Sequence, residues 1–391
     1  MSVAWVAADA AVRFYARKPR SMTTYFLRRL LLTVPTFIGV TLIAFTITRM
    51  VPGGPLERAV NQWRHGGGGG REAGAGRAVV DISQQISPGA MDELEKHFGL
   101  DLPAYKAYFL WLKKTATLDL GESYLFKEPV WQMVVERFPI SLSFGLTGFL
   151  LAYLVCVPLG IFKALKHGSP FDLVSSVIVF MGYSIPGWAL GLLLLTFLAS
   201  GRFYDVAPLG GIRSTEYSSL PTIVQHFEPE DQVKDEYGVL QWERLSPLSR
   251  FVDRVFHMAL PVLCYMVGSF ATLTVLMKNS LMENLGQDYV RTAFAKGLAP
   301  RRVVFVHTLR NSLIPLATGL GNALGLIMAG SYLIEWVFDI DGLGKLGYKA
   351  IEQRDYMIVM GVLSINTVLL LFGNILSDFL YALIDPRIRF E

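Results

Sequence analysis

Six long stretches without a charged residue limit how this chain can fold. They are residues 30–48, 140–162, 173–201, 258–277, 311–334 and 356–377. A helix needs about 20 apolar residues to cross a hydrocarbon layer about 30 Å thick, and each stretch reaches or nearly reaches that length. Backbone polar groups must be satisfied inside a membrane, so such stretches fold as helices. With 52% hydrophobic and only 17% charged residues, the chain is predicted to be an all-α polytopic membrane protein with six transmembrane helices.

Lysine and arginine near the ends of these stretches predict an orientation. Segments 1–29, 163–171, 278–311 and 386–391 carry 16 lysines and arginines against four acidic residues. The alternate segments, 49–139, 202–255 and 335–356, carry 20 basic against 25 acidic residues. Because basic helix ends stay on the inner side of a membrane, both termini and the 278–311 loop are expected to be cytoplasmic.

The same stretches divide the chain into segments. A basic cytoplasmic tail at 1–22 precedes the first transmembrane helix at 23–49, and an external loop follows at 50–139. A core of five helices spans 140–385, and 386–391 is a cytoplasmic C-terminus.

Two external loops are unusually long. The first contains five consecutive glycines at 66–70, which indicate a flexible insertion, and its later part predicts short helices at 91–98 and 100–114. The second, at 202–255, is acidic around Glu228–Glu236. We favour the interpretation that these acidic residues form a solvated surface over the alternative that they attract a cationic substrate or a receptor.

A polar interval at 288–315 separates two of the apolar stretches and predicts a short helix. Tyr289, Thr292, Ala293 and Lys296 fall at helical spacing and would share one face. Gly297 can adopt the left-handed conformation of a C-cap, and Pro300 discourages continuation of the helix. The small centre of this helix, Ala293 and Ala295, suits close insertion into another protein.

The residues of this interval resemble a family signature. The run Asp288-Tyr289-Val290-Arg291-Thr292-Ala293, followed by Ala295-Lys296-Gly297-Leu298 and later by Leu309-Arg310-Asn311, is similar to the cytoplasmic loop of binding-protein-dependent ABC importer permeases. It resembles most the B-type subunit of the dipeptide/oligopeptide/nickel family. The general pattern is Glu-Ala-Ala, three further residues and then Gly, whereas this chain has Arg291-Thr292-Ala293 before Gly297, a departure typical of the peptide branch. The similarity covers roughly residues 25–390, including the closing Asp385-Pro386-Arg387.

The resemblance implies a type I ABC importer permease fold with helical external loop elements, in a bacterial inner membrane. It implies a coupling helix at 288–301 that docks on an ATP-hydrolysing subunit. The docking residues would be Asp288, Tyr289, Arg291, Thr292, Ala293, Ala295, Lys296, Gly297 and Pro300. The implied partners are a second, C-type permease as heterodimer, two ATP-binding subunits or one fused ATPase, a periplasmic solute-binding protein and the lipid bilayer, without nucleic acid.

No catalytic motif supports an enzymatic function. The phosphate-binding loop of ATPases is absent, since Gly344-Lys345 is followed by Leu346 and lacks the upstream glycine. The chain is therefore expected to bind no cofactor, with ATP and Mg²⁺ held by partner subunits. Asp339 and Asp341 resemble the opening of a calcium loop without its later ligands, so no metal site is predicted.

Five residues are candidates for a gate or pore: Pro186, Gly187, Ser331, Glu335 and Asp378. Pro186 and Gly187 lie inside an apolar stretch and can break its helix. Asp378 is the one acidic residue enclosed by the last apolar stretch, near a helix end where water or an arginine could solvate it.

Several alternatives for function stay open. Within the family, the substrate could be a peptide or nickel, and the long external loops resemble the Yej-type subgroup, associated with oligopeptides and peptide-like antibiotics. An ion-coupled secondary transporter would need buried ionisable residues paired along the spans, and the sequence offers only Asp378. An intramembrane enzyme lacks its residues.

Overall fold

The computed structural model describes residues 22–51, 102–317 and 332–384. Its main helices are α1 (Met22–Met50), α2 (Ala104–Ala116), α3 (Val130–Leu165), α4 (Pro170–Ser184), α5 (Gly187–Leu198), α6 (Pro247–Leu285), α7 (Asp288–Ala295), α8 (Tyr332–Val337), α9 (Leu343–Glu352) and α10 (Tyr356–Ile384). Shorter helical turns lie at Tyr217–Ser219, Thr222–Phe227, Glu230–Val233, Trp242–Arg244, Pro300–Arg302, Val303–Thr308 and Leu309–Ser312.

Four of these helices, α1, α3, α6 and α10, are long and apolar enough to cross a membrane. Helices α4 and α5 form a fifth span if they are counted together, with a bend of 94° between them. The remaining apolar stretch, 311–334, lies mostly outside the described residues, as do the glycine run at 66–70, the predicted helix at 91–98 and Ser331. The structure thus confirms an all-α membrane protein, and the sixth span stays a prediction.

Helices α3 and α6 form the centre of the bundle. They pack along each other more extensively than any other pair of described elements. Two glycines of α3 permit this close approach: a Cβ at Gly148 would lie 2.6 Å from the ring of Tyr265, and one at Gly160 would lie 2.6 Å from the Cβ of Met277. Helix α1 packs mainly against α10 at the side of the bundle.

Helix α2 confirms the helix predicted at 100–114, with Pro103 at its N-cap. Its buried Tyr108 places the hydroxyl 2.9 Å from Oγ1 of Thr41 and donates to the carbonyl of Ile38 at 3.0 Å. These contacts hold α2 against the middle of α1, so this part of the 50–139 segment packs on the bundle.

The acidic cluster of the 202–255 segment is largely solvated, as predicted, since Glu230, Asp231 and Glu236 are exposed, but the segment also has a buried interior. Six buried side chains form a small core within it: Leu220, Val224, Val233, Leu240, Trp242 and Leu245. Glu228 accepts hydrogen bonds at one carboxylate oxygen from the hydroxyl of Ser249 at 2.7 Å and the backbone N–H of Ser246 at 3.0 Å. These bonds, the Ser249 bond foremost, lower the pKa of Glu228. The acidic cluster therefore includes a carboxylate that ties the segment to the start of α6.

Candidate functional site

Helix α7 ends in a Schellman cap. The N–H of Leu298 donates to the carbonyl of Ala293 at 3.3 Å, and the N–H of Gly297 donates to that of Phe294 at 2.9 Å. Gly297 has φ +76°, a left-handed conformation that glycine adopts without strain. The predicted helix and its glycine stop are therefore confirmed.

One face of α7 is buried against its own chain, which corrects part of the sequence interpretation. Val290 and Ala293 pack with Val303 and Leu298 in a small hydrophobic cluster. Ala293 is therefore not presented to a partner, because this contact covers it. Helical spacing places Ala293 beside Tyr289, Thr292 and Lys296, but it cannot tell which edge of that face turns inward.

The opposite face of α7 is exposed and mixed in chemistry. It carries Asp288, Tyr289, Arg291, Thr292, Phe294, Ala295 and Lys296, with Gly297 and Pro300 exposed just beyond the helix. Phe294 is a member of this surface that sequence reasoning missed, and 45% of it is exposed. The available signal in the sequence was an aromatic residue between the charged residues Arg291 and Lys296 of a short helix. This exposed face suits contact with another protein because aromatic and arginine side chains are enriched at interfaces.

A π-helical turn at Val303–Thr308 connects this loop to the bundle. The hydroxyl of Thr308 donates to the carbonyl of Val303 at 3.0 Å, and that of Ser280 on α6 donates to the carbonyl of Ser312 at 2.9 Å. All three hydroxyl-bearing residues are buried. The loop is thus tied to α6 on both sides of α7, by the chain itself and by this buried hydrogen bond.

Beside the same end of α6 lies a cluster of charged groups. Asp172, at the start of α4, binds Nζ of Lys278 through both carboxylate oxygens at 2.8 Å and lies 3.1 Å from Nζ of Lys163. The Lys163 side chain is only 2% exposed and also donates to the hydroxyls of Ser175 and Ser176 at 2.9 and 2.7 Å. The cluster joins α3, α4 and α6 next to the α7 loop.

This cluster corrects the expectation that Asp378 is the only ionisable residue of the spans that an ion-coupled transporter could use. Lys163 and Lys278 directly follow uncharged stretches and Asp172 directly precedes one, so a search for charges inside the stretches misses all three. Their pairing at helix ends satisfies the charges locally. An array along a span, which an ion pathway needs, is not formed by these residues.

The sequence relationships agree with this geometry. The family described as binding-protein-dependent transport system inner membrane component matches residues 156–390, which include α4 to α10. The chain belongs to this family. It is 35% identical to the inner membrane ABC transporter permease protein YejB of Escherichia coli O157:H7 over 387 residues, covering 95% of this chain and 100% of the relative.

Two further relatives support the same placement. The peptidoglycan transport system permease protein YejB of Agrobacterium fabrum is 34% identical, covering 95% of this chain and 99% of the relative. The dipeptide transport system permease protein DppB of Escherichia coli K12 is 31% identical, covering 94% and 99%. The resemblance to the Yej-type subgroup is confirmed, and this membrane component is a multi-pass inner-membrane protein.

The bend predicted at Pro186 is present in this membrane component. Helix α4 ends at Ser184, Pro186 is the N-cap of α5, and the two helices meet at 94°. A Cβ at Gly187 would lie 2.6 Å from the carbonyl oxygen of Cys264, so the bend packs directly on the backbone of α6. The bend is confirmed, and its role as a gate stays a prediction.

Glu335 has a structural position that corrects its assignment as a pore candidate. It is completely buried, and its carboxylate accepts from the hydroxyl of Ser141 at 3.0 Å and from the backbone N–H of Lys345 at 2.9 Å. A Cβ at Gly342 or Gly344 would lie within 3.0 Å of this carboxylate. Glu335 therefore joins α3, α8 and the first turn of α9, and it lines no opening.

Asp378 is paired with an arginine, one of the two predicted ways to solvate its charge. Arg29 of α1 forms an ion pair with its carboxylate, and the hydroxyl of Tyr25 donates to the same oxygen at 3.2 Å. The contact joins α1 to α10, whose side-by-side packing brings the two residues together. A role as anchor between these helices explains the residue without a proton pathway.

A buried group of Ser214, Asp253 and His257 does not form a catalytic triad. The Ser214 hydroxyl lies 2.7 Å from Oδ1 of Asp253 and 3.1 Å from Nε2 of His257, while Nδ1 of His257 faces the carbonyl of Gly210 at 3.1 Å. A triad needs the carboxylate on the ring nitrogen opposite the serine. Here the group connects the 202–255 segment to α6.

Among the residues that the structure describes, no three His, Cys, Asp or Glu side chains are placed to hold a metal ion.

Proposed function

We propose that this chain is one of two membrane subunits of an ATP-driven importer that moves peptides into the cytoplasm. The observation that carries the proposal is the exposed face of α7, capped at Gly297 and tied to α6 on both sides. A surface that receives force from another protein must be accessible on one side and firmly attached on the other. Helix α7 meets both requirements.

The route from α7 into the bundle follows from these contacts. Movement of α7 passes to Val303, which packs on it, and along the helical turns that follow to the bond between Ser312 and Ser280 of α6. Helix α6 holds α4 by Lys278 on Asp172, and it holds the start of α5 by the packing of Gly187 on Cys264. ATP binding that draws two partner subunits together would thus rotate α3, α4 and α6 as one body and reorient the bend at Pro186.

The partners and orientation belong to the same proposal. A second, homologous permease would complete the pathway, two ATP-binding subunits or one fused ATPase would bind α7, and a periplasmic solute-binding protein would deliver the substrate. Both termini and α7 would be cytoplasmic, as the distribution of lysine and arginine indicates. ATP and Mg²⁺ would bind only to the ATPase subunits.

The named relatives favour peptides over nickel. DppB of Escherichia coli is named for dipeptide transport, YejB of Agrobacterium fabrum for peptidoglycan transport, and a further relative, AppB of Bacillus subtilis, for oligopeptide transport. Among the charged groups that an ion-coupled transporter could use, Lys163, Asp172 and Lys278 are engaged with one another at one end of the bundle, and Asp378 is paired with Arg29. Peptide import driven by ATP therefore remains the best-supported function.

Transport by the reconstituted complex tests the proposal. Vesicles with the chain, its second permease and its receptor should accumulate labelled oligopeptide only when the ATPase subunit and ATP are present, and a dissipated membrane potential should leave uptake unchanged. Uptake that follows the potential in vesicles without the ATPase would refute it. Nickel uptake under the same conditions, without peptide uptake, would refute the substrate assignment alone.

A further inference from the structure

A groove lies along the first turns of α4. Its walls are five side chains of that helix: Pro170, Phe171, Val174, Ser175 and Ile178. We call it the α4 groove. Phe171, Val174 and Ile178 are 42%, 57% and 65% exposed, and their spacing places them on one face of the helix. The groove is therefore open towards the surroundings of the bundle.

Contacts with α6 fix the depth of the α4 groove. Asp172, at the start of α4, binds Lys278, and a Cβ at Gly182 would lie 3.3 Å from a methyl group of Val267. Helix α4 therefore runs alongside α6, in the opposite chain direction. Because Lys278 directly follows the uncharged stretch 258–277, its ion pair with Asp172 lies at the edge of the hydrocarbon layer.

The α4 groove begins at this edge and extends into the hydrocarbon layer. At 1.5 Å per residue, Val174 and Ile178 lie about 3 and about 9 Å deeper than Asp172, and Phe171 lies about 1.5 Å towards the surface. Each half of the hydrocarbon layer is about 15 Å thick. The apolar walls of the groove are thus at the depth of lipid acyl chains.

A lysine lies at the mouth of the α4 groove. Lys166 directly follows α3, and its Nζ is 5.6 Å from the centre of the Phe171 ring. The residue is exposed and has no ion pair among the residues that the structure describes. A ligand in the groove can therefore reach an uncompensated positive charge at the membrane edge.

A second lysine adds positive charge behind the wall of the groove. Nζ of Lys163 donates to the hydroxyl of Ser175 at 2.9 Å. The carboxylate of Asp172 serves both Lys163 and Lys278, at 3.1 and 2.8 Å. Together with Lys166, three positive charges are placed against one negative charge. Salt screens partly buried charges weakly, so this end of the groove attracts anions.

Only an amphipathic anion matches both parts of this site. A water-soluble anion would pair with Lys166 but would leave the apolar walls at hydrocarbon depth uncovered. An apolar helix of another protein would cover Val174 and Ile178 but would leave the excess positive charge unmatched. A phospholipid carries its phosphate at the membrane edge and its acyl chain below it, so one molecule satisfies both requirements.

We propose that the α4 groove holds an acyl chain of an anionic phospholipid, whose phosphate pairs with Lys166. The bound lipid would brace the start of α4 on the side opposite its ion pair with α6. This site depends only on the membrane location of the chain, and it is independent of the coupling role of α7.

Lipid retention by the full-length chain tests the charged part of the site. The purified protein in neutral detergent is titrated with phosphatidylglycerol or phosphatidylcholine, and bound lipids are counted by native mass spectrometry. We expect preferential binding of phosphatidylglycerol and an affinity about fivefold lower in Lys166→Gln, since one lysine near a membrane surface contributes about that factor. Lys166→Arg keeps the charge and should bind like the unmodified chain. The control Lys113→Gln removes an exposed lysine of α2 and should also leave binding unchanged.

The apolar part of the site has its own pair of variants. Ile178→Trp would fill the groove and should reduce the retention of phosphatidylglycerol. Leu173→Trp is the matched control, because Leu173 is 70% exposed and helical spacing places it on another side of α4. It should retain the lipid like the unmodified chain.

Four results would overturn the proposal. The first is equal phosphatidylglycerol affinity in the unmodified chain and in Lys166→Gln, and the second is equal retention by Ile178→Trp and Leu173→Trp. The third is displacement of the lipid by glycerol phosphate at equal concentration, which would indicate a site for a soluble anion. The fourth is that Lys166→Gln weakens pairing with a second permease while lipid retention is unchanged, which would indicate a protein interface.

Discussion

Gly297 offers the sharpest test of the coupling role of α7. Its φ of +76° lies in the left-handed region, while a Cβ added there would meet no atom within 4 Å. Gly297→Ala therefore changes the backbone energy without a steric clash. A residue other than glycine in this conformation costs about 1–2 kcal/mol, which lowers the ratio of capped to uncapped α7 about five- to thirtyfold. Since a partner that needs the capped form binds in proportion to its population, we expect weaker ATPase binding, with the change in this ratio as the upper limit of the loss.

The assay is binding of the purified ATPase subunit to the chain in nanodiscs, together with peptide-stimulated ATP hydrolysis by the assembled complex. Gly238→Ala is the matched control, because Gly238 has φ +80°, an equally open Cβ position, and a place in the 202–255 segment far from α7 in the chain. Gly297→Asn should recover much of the loss, since asparagine tolerates this conformation better than alanine. If Gly297→Ala reduces ATPase binding no more than Gly238→Ala does, the cap has no part in docking.

Three further predictions concern stability, each measured by thermal unfolding or amide hydrogen exchange in detergent. Asp172→Asn leaves buried Lys163 without its counter-ion and should lower the free energy of unfolding by about 3 kcal/mol. Glu230→Gln, at the exposed pair with Lys234, should change it by less than about 1 kcal/mol. Equal effects of the two substitutions would contradict the buried cluster. Gly187→Ala should destabilise by about 1–3 kcal/mol because its Cβ meets the backbone of α6, while Gly268→Ala on α6 has open space and should not; a stable Gly187→Ala would refute the close packing of the bend. The pKa of Glu228 is lowered on folding, so its contribution to stability is present above its unfolded value of about 4.3 and is lost as pH falls through the lower folded value. Glu228→Gln should therefore flatten the acid side of the stability profile of the 202–255 segment, and an unchanged profile would contradict the hydrogen bonds from Ser249 and Ser246.

Features that depend on local chemistry could be predicted from the sequence. The long apolar stretches, the helix after Pro103, the bend at Pro186 and the glycine stop at Gly297 all follow from neighbouring residues. Each of these features is set by local backbone conformation or by the membrane, so predicting it requires no knowledge of distant contacts.

Features that depend on distant contacts could not be predicted. Ala293 turns inward because Val303, ten residues later, packs on it. Glu335 is a structural anchor because Ser141, nearly two hundred residues earlier, lies beside it. Lys163, Asp172 and Lys278 meet only because the last turns of α3 and α6 lie at the same level of the bundle as the first turn of α4. Sequence patterns identified these residues or their surroundings without revealing their partners.

The close contact of α3 with α6 restricts where a pathway through the membrane can open. At Gly160 the two helices interlock so tightly that one additional methyl group would overlap Met277. Helices in such contact cannot slide past each other without first separating, because packed cores deform in discrete steps. In the proposed complex the chain would supply a stiff half-wall, and the opening would form along the seam with the second permease. Which solutes pass would then be decided jointly by two chains, so a change in selectivity would call for paired substitutions across that seam.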